Sequence, residues 1–178
     1  MTNLKIEEYT FEDKPSNDFI NFIKYLYKNY KHVSFYVETI NKIKNKNNPS
    51  FNYLKIKNFI AYSNEKTVGH ISAIIDKRIG NGIGIIGFYE CIEDIKVSEE
   101  LIKKATEYLR ENNCKTIRAP INLTIWHPYR FVVSQKDTFI FEPITKDYYL
   151  NQFKEQGFKV VAEYGSGQRI DYETILPY

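Results

Sequence analysis

Glu90, in the segment FYECI, offers a carboxylate that could take a proton directly or through water; it could equally face solvent or sit in a salt bridge. Tyr148 and Tyr149 supply phenols, and a carboxylate with a phenol is a natural pair where one group removes a proton and another returns one. Both phenols also suit the apolar core of a helix. His70 and His127 are separated imidazoles without an evident Ser or Cys partner, so a hydrolytic triad has no support. A buried, hydrogen-bonded or surface role is expected for each. INLTIWHPYR brings together Asn122, Trp126, His127, Tyr129 and Arg130, which offer stacking, hydrogen bonding and one positive charge to a ligand. The same segment could simply pack beneath a loop.

The segment IEDIKVS, from Ile92 to Ser98, leaves a strand-like run and enters a helix-like one without a glycine. Amides at such a helix start can hold an anion, but Glu93, Asp94, Glu99 and Glu100 crowd the same end, with Lys96 as its only cation. A helix capped by its own acids is the competing reading. Lys103, Lys104, Lys115 and Arg118 could restore attraction. GNGIG, Gly80 to Gly84, precedes a strand where a phosphate loop would open a helix, and reads as a hairpin turn. Cys91 and Cys114 lie 23 positions apart with no CxxC pair and no His at ligand spacing. Neither a disulfide nor a metal site is expected, and a reducing cytoplasm fits.

Elements able to position these residues follow from periodicity. LKIEEYT alternates as a strand. Phe19, Phe22, Ile23, Leu26, Tyr27 and Tyr30 form a helix face, with Ser16, Asn17 or Asp18 as caps, and Tyr36, Val37, Ile40 and Ile43 form a second. Runs 58–63 and 67–77, joined by SNEK, read as a hairpin. A central strand spans 84–92, and Ser98 caps a helix carrying Leu101, Ile102, Ala105, Tyr108 and Leu109. KTIRAPI is the next strand, Tyr149 to Phe153 a short helix ending at Gly157, and KVVAEYGSGQRID a closing strand or hairpin. The aromatic stretch 122–147 is expected to cover a pocket.

One domain, 1–178, is expected for 178 residues, long enough for a core without disulfides or metal. The 15 Tyr and 12 Phe are not interleaved with a basic stripe and the net charge is only +3, which argues against nucleic acid; the basic run NKIKNKNN reads as solvated. No stretch approaches the roughly 20 apolar residues of a membrane span and the start lacks an apolar signal core, so a soluble, unprocessed chain is expected.

The order strand, two helices, hairpin, central strand, crossover helix, strand, then helix-Gly-Phe-strand resembles the GNAT superfamily of acyl-CoA-dependent N-acyltransferases. YYLNQFKEQGFKVVAEY is its most recognisable piece. Over nearly the whole chain, the stretch from NNPSFNYLKIKNF to IDKR, then GIIGFYECIED, APINLT and YYLNQFKEQGFK, look like the first GNAT-like module of a bacterial family related to the protein called YghO. Members of that family often run to about twice this length, so a second half is expected to be lacking.

The resemblance implies an α/β fold, an α+β sandwich with a mixed, largely antiparallel central sheet and helices on both faces. It implies acetyl-CoA as co-substrate, held by Cys91, Ile92, Ile95, Lys96, Val97 and Ser98, without metal. Glu90 would act as base, and Tyr149 or Tyr148 would protonate the departing thiolate. Asn122, Trp126 and His127 would meet a small-molecule or peptide amine. A cytoplasmic homodimer without nucleic-acid or membrane partners fits the same reading. IEDIKVS departs from the family's R/Q-x-x-G-x-G/A loop. The alternative is a non-catalytic GNAT-like ligand- or protein-binding module that has lost the pyrophosphate loop.

Overall fold

A computed structural model describes residues 3–80, 82–134 and 142–165. Strands β1 (Leu4–Tyr9), β2 (Leu54–Ser63), β3 (Lys66–Asp76), β4 (Ile83–Cys91) and β5 (Thr116–Arg118) form one sheet in chain order. The first four pair antiparallel. β4 and β5 run parallel, joined by the crossover helix α3 (Ile95–Glu111). Helices α1 (Pro15–Leu26) and α2 (Val33–Ile43) precede the hairpin, and α4 (Tyr149–Glu155) follows β5. The expected α+β sandwich and its mixed sheet are present.

Period-two alternation in the strands divides the core between two faces. Ile60, Ile74 and Ile85 pack with Phe19, Ile23 and Ile40 of α1 and α2. Phe59, Ala61, Ile71, Ala73 and Ile86 pack with Leu101, Ala105 and Leu109 of α3 and Phe153 of α4. α3 shows the three-and-four spacing expected of a helix buried along one stripe.

Several boundaries differ from expectation. α1 begins at Pro15, where the missing N–H costs nothing and φ is already helical, and it ends before Tyr30. β2 begins four residues earlier than its apolar run, because Leu54 to Lys57 pair with Ala73 to Asp76. β5 stops at Arg118. Residues 159–165 form no strand, and the rest of the proposed closing strand lies outside the described residues. Among the described residues no helix is long and apolar enough to cross a membrane.

Gly80 and Gly82 take positive φ in the β3–β4 turn, as GNGIG implies. The two-residue turn joining β2 to β3 places Asn64 at φ 48° and Glu65 at φ 64°, the signature of a type I′ turn. Asn tolerates that region and Glu does not. Glu65→Gly is therefore expected to raise stability by roughly 0.5–1 kcal/mol in urea denaturation, and a loss would show that the turn is not strained.

Candidate functional site

The site is set by one extra residue in β4. Ser72 pairs with Gly87 but His70 pairs with Glu90, so the register slips by one between them, and Phe88 takes φ 48°. A bulge of this kind reverses which face every later side chain meets. Ile86 and Tyr89 face α3 and α4, whereas Ile85 and Phe88 face α1 and α2. Glu90 is thereby sent to the α1/α2 face, although an unbroken alternation from Ile86 would send it the other way.

His70 holds the bulge in place. It is fully buried and stacked on Phe19 with ring centroids 3.7 Å apart. Its Nδ1 lies 2.6 Å from the Phe88 carbonyl, which can only accept, so Nδ1 carries the proton and Nε2 accepts from the Tyr9 hydroxyl at 2.7 Å. Burial lowers the His70 pKa to about 3, keeping the ring neutral.

Glu90 is buried, not solvent-facing, and among the described residues it forms no salt bridge. Tyr27 and Tyr149 donate to its Oε2 at 2.9 and 2.7 Å, and Tyr36 donates to Oε1 at 2.8 Å. Burial raises the carboxyl pKa to about 7; the three tyrosine hydroxyls and the charge of Lys146 offset part of that effect. Glu90 and Tyr149 therefore share one site. Tyr27 and Tyr36 read in sequence as members of apolar stripes; their signal was a phenol where Leu would suffice, since a buried hydroxyl must find a partner.

Past Ile85, the side of β4 turned toward β5 has no strand beside it among the described residues, because β5 has ended. Ile92 N bonds Val68 O on the β3 side, so alternation turns the N–H and C=O of Cys91 the other way. The chain meets these groups with its own atoms. Ile86 O accepts from Ile121 N at 2.9 Å, and Phe88 N donates to Asn122 Oδ1 at 2.6 Å. Cys91 N donates to the Tyr149 hydroxyl at 3.0 Å, and Cys91 O accepts from the Tyr148 hydroxyl at 2.9 Å. Gln152 then donates to Ile92 O at 2.9 Å.

The helix start is occupied too. Asp94, not Ser98, caps α3: its Oδ1 accepts from Lys96 N at 2.9 Å and Val97 N at 3.4 Å. The α-helix begins four residues earlier than a Ser98 cap would start it, because Asp94 reaches forward over its first turn. Ser98 is buried and donates to Ile95 O, while Ile95 is 46 % exposed and Val97 is buried in the core.

Of the residues expected to meet an acceptor, Asn122 lines a small cavity of about 20 Å³ together with Glu90, Tyr36, Arg130 and Thr145. Trp126 is 87 % exposed, and His127 pairs with Thr124 through Nδ1; neither lines the cavity. Ile144 and Thr145 separate that cavity from an open groove of about 330 Å³ lined by Leu26, Tyr27, Lys28 and Lys146. Among the described residues no group of His, Cys, Asp and Glu is arranged to hold a metal ion.

No protein-family model and no curated protein sequence matches the chain. Solved structures do. An aminoglycoside N-acetyltransferase, AAC(6′)-Iy in complex with CoA, is 12% identical with a TM-score of 0.52, covering 96% of this chain and 97% of its own. A Pyrococcus furiosus protein provisionally described as an acetyl transferase is 14% identical with a TM-score of 0.56, covering 93% and 100%. A transcriptional regulator from Bacillus halodurans is 15% identical with a TM-score of 0.50, covering 94% and 100%. Identities this low establish shared architecture without shared chemistry. The chain therefore has the fold of the GNAT acetyltransferases.

Proposed function

We propose that this chain is a GNAT-fold module for binding a small ligand, in which the groove that would receive acyl-CoA is filled by the protein's own side chains. Within the fold we read it as a YghO-type module, on the segments quoted above. One observation carries the reading: the groups of β4 left without a neighbouring strand are satisfied by Ile121, Asn122, Tyr148 and Tyr149. An extended carrier pairing with that edge would have to break each of these bonds and leave buried polar groups without partners. Asp94 adds to this, because its carboxylate both occupies the first amides of α3 and repels a pyrophosphate.

Thermal unfolding with acetyl-CoA, CoA and desulfo-CoA tests the reading. A ligand present at 100 times its Kd stabilises by about 2.7 kcal/mol, which is roughly 5–10 °C for a chain of this size. The expected result at millimolar ligand is no saturable rise. A rise of that order would overturn the reading.

A second reading, an acetyl-CoA-dependent N-acetyltransferase acting on an amine, is favoured by the Glu90–Tyr149 contact. A carboxyl with its pKa at about 7 suits a base working near neutrality. In that case Tyr149 would have to surrender its bonds to Glu90 and Cys91 before protonating a thiolate, and acetyl-CoA would produce the thermal shift just described.

A further inference from the structure

We propose that the cavity bordered by Arg130, Asn122 and Thr145 is a receptor for the carboxylate group of a small organic acid. The proposal rests on reading the chain as a ligand-binding module and names the chemistry of its ligand.

The cavity holds one buried donor with nothing to donate to, and further donors stand around it. Arg130 Nε is buried without a hydrogen-bond partner, and no carboxylate among the described residues pairs with the guanidinium. Its carbon lies 4.8 and 4.9 Å from the ring centroids of Tyr129 and Tyr164. Those rings steady the cation but cannot accept its in-plane N–H groups. Asn122 spends its carbonyl oxygen on Phe88 N, leaving its NH₂. Thr145 Oγ1 accepts from Val132 N, leaving its O–H to give. Among the described residues Glu90 is the one acid on the wall, and its oxygens already receive Tyr27, Tyr36 and Tyr149.

The group that satisfies such a wall accepts several hydrogen bonds and donates none. Water accepts two such bonds but brings no charge to match the guanidinium, and a primary amide would set its NH₂ against the donors. A carboxylate meets Arg130 side-on with two oxygens, the strongest pairing open to a guanidinium. Size narrows the choice further. About 20 Å³ limits the ligand to a compact group of a few heavy atoms. The apolar wall, which includes Phe88 and Ile144, suits a short alkyl end. Arg130 itself sits at φ 82° with its N–H on Pro120 O at 3.2 Å, and the Ile121–Tyr129 bridge ties the same loop across its neck. Backbone so rarely adopted by an arginine is maintained here by specific bonds.

The test uses the full chain with [1-¹³C]acetate followed by NMR, and thermal unfolding with acetate, propionate, acetamide and chloride at matched ionic strength. Expected are saturable line broadening and a rise in Tm for acetate and propionate, absent for acetamide and chloride. Arg130→Gln, verified as folded by circular dichroism, should weaken acetate binding at least tenfold. Equal effects of acetate and acetamide, an acetate effect no larger than chloride's, or undiminished binding by folded R130Q would each overturn the proposal. Should R130Q fail to fold, the comparison of acetate with its isostere acetamide decides alone. A shift with acetyl-CoA would overturn the preceding reading while leaving the Arg130 site standing, since the two ligands are titrated separately.

Discussion

Glu90→Gln is expected to remain folded and to change how stability depends on pH. The folded Glu90 pKa, about 7, lies above its ordinary value of 4.5, so the native state holds a proton that the unfolded chain releases. The contribution is fully present below pH 4.5 and is lost as pH rises through 7. At 1.36 kcal/mol per pKa unit, wild type should lose on the order of 2–3 kcal/mol relative to E90Q between pH 4.5 and 7. Because the group is buried, solvent screening reduces this little.

His70 acts in the opposite sense. Its folded pKa, about 3, lies below the ordinary 6.5, so its contribution is present above 6.5 and is lost as pH falls toward 3. Between pH 4.5 and 6.5 the two groups oppose one another and their joint effect in wild type is nearly flat. In E90Q only the His70 slope remains, and stability should climb across that window. Urea denaturation of both proteins at pH 4.5, 5.5, 6.5 and 7 measures the difference. Parallel profiles would show that Glu90 is not the buried acid described here.

Gly87→Ala should be the most damaging single methyl in the protein. A Cβ built there falls 2.1 Å from Ile121 O, 2.9 Å from Ile121 C and 3.2 Å from Asn122 Cα. All three are backbone atoms on a segment tied to β4 by Ile121 N and Asn122 Oδ1. Relief requires moving the chain off the strand, and with it Asn122, for a cost of about 3 kcal/mol or more. Gly69→Ala is the control. Its Cβ falls 2.5 Å from Leu101 Cδ1, the end of a side chain that can rotate, so about 1 kcal/mol is expected. Equal losses for the two variants in urea denaturation would sink the idea that Gly87 exists for the Ile121 crossing.

The order and type of the main elements were legible because each carries its own period. Leu101, Ala105 and Leu109 mark a helix face whatever they pack on, and SNEK and GNGIG mark turns through residues that accept or adopt positive φ. The site was legible only in part. Glu90 and Tyr149 were candidates by residue type, but Tyr27 and Tyr36 lie 63 and 54 positions from Glu90 and looked like ordinary stripe residues. Asp94 was visible as an acid near a helix start, yet Ser98 offered an equally good cap by pattern.

By itself the sequence determined the sandwich, since hydrophobic periodicity is a local property that survives without knowledge of partners. Which face Glu90 meets was decided only in the tertiary structure. The slip at Phe88 depends on a carbonyl held by His70, on a ring stacked with Phe19, and on a glycine that admits the Ile121 backbone. Those contacts come from β3, α1 and the segment after β5. A change of strand parity produced by distant partners leaves no period in the residues that undergo it.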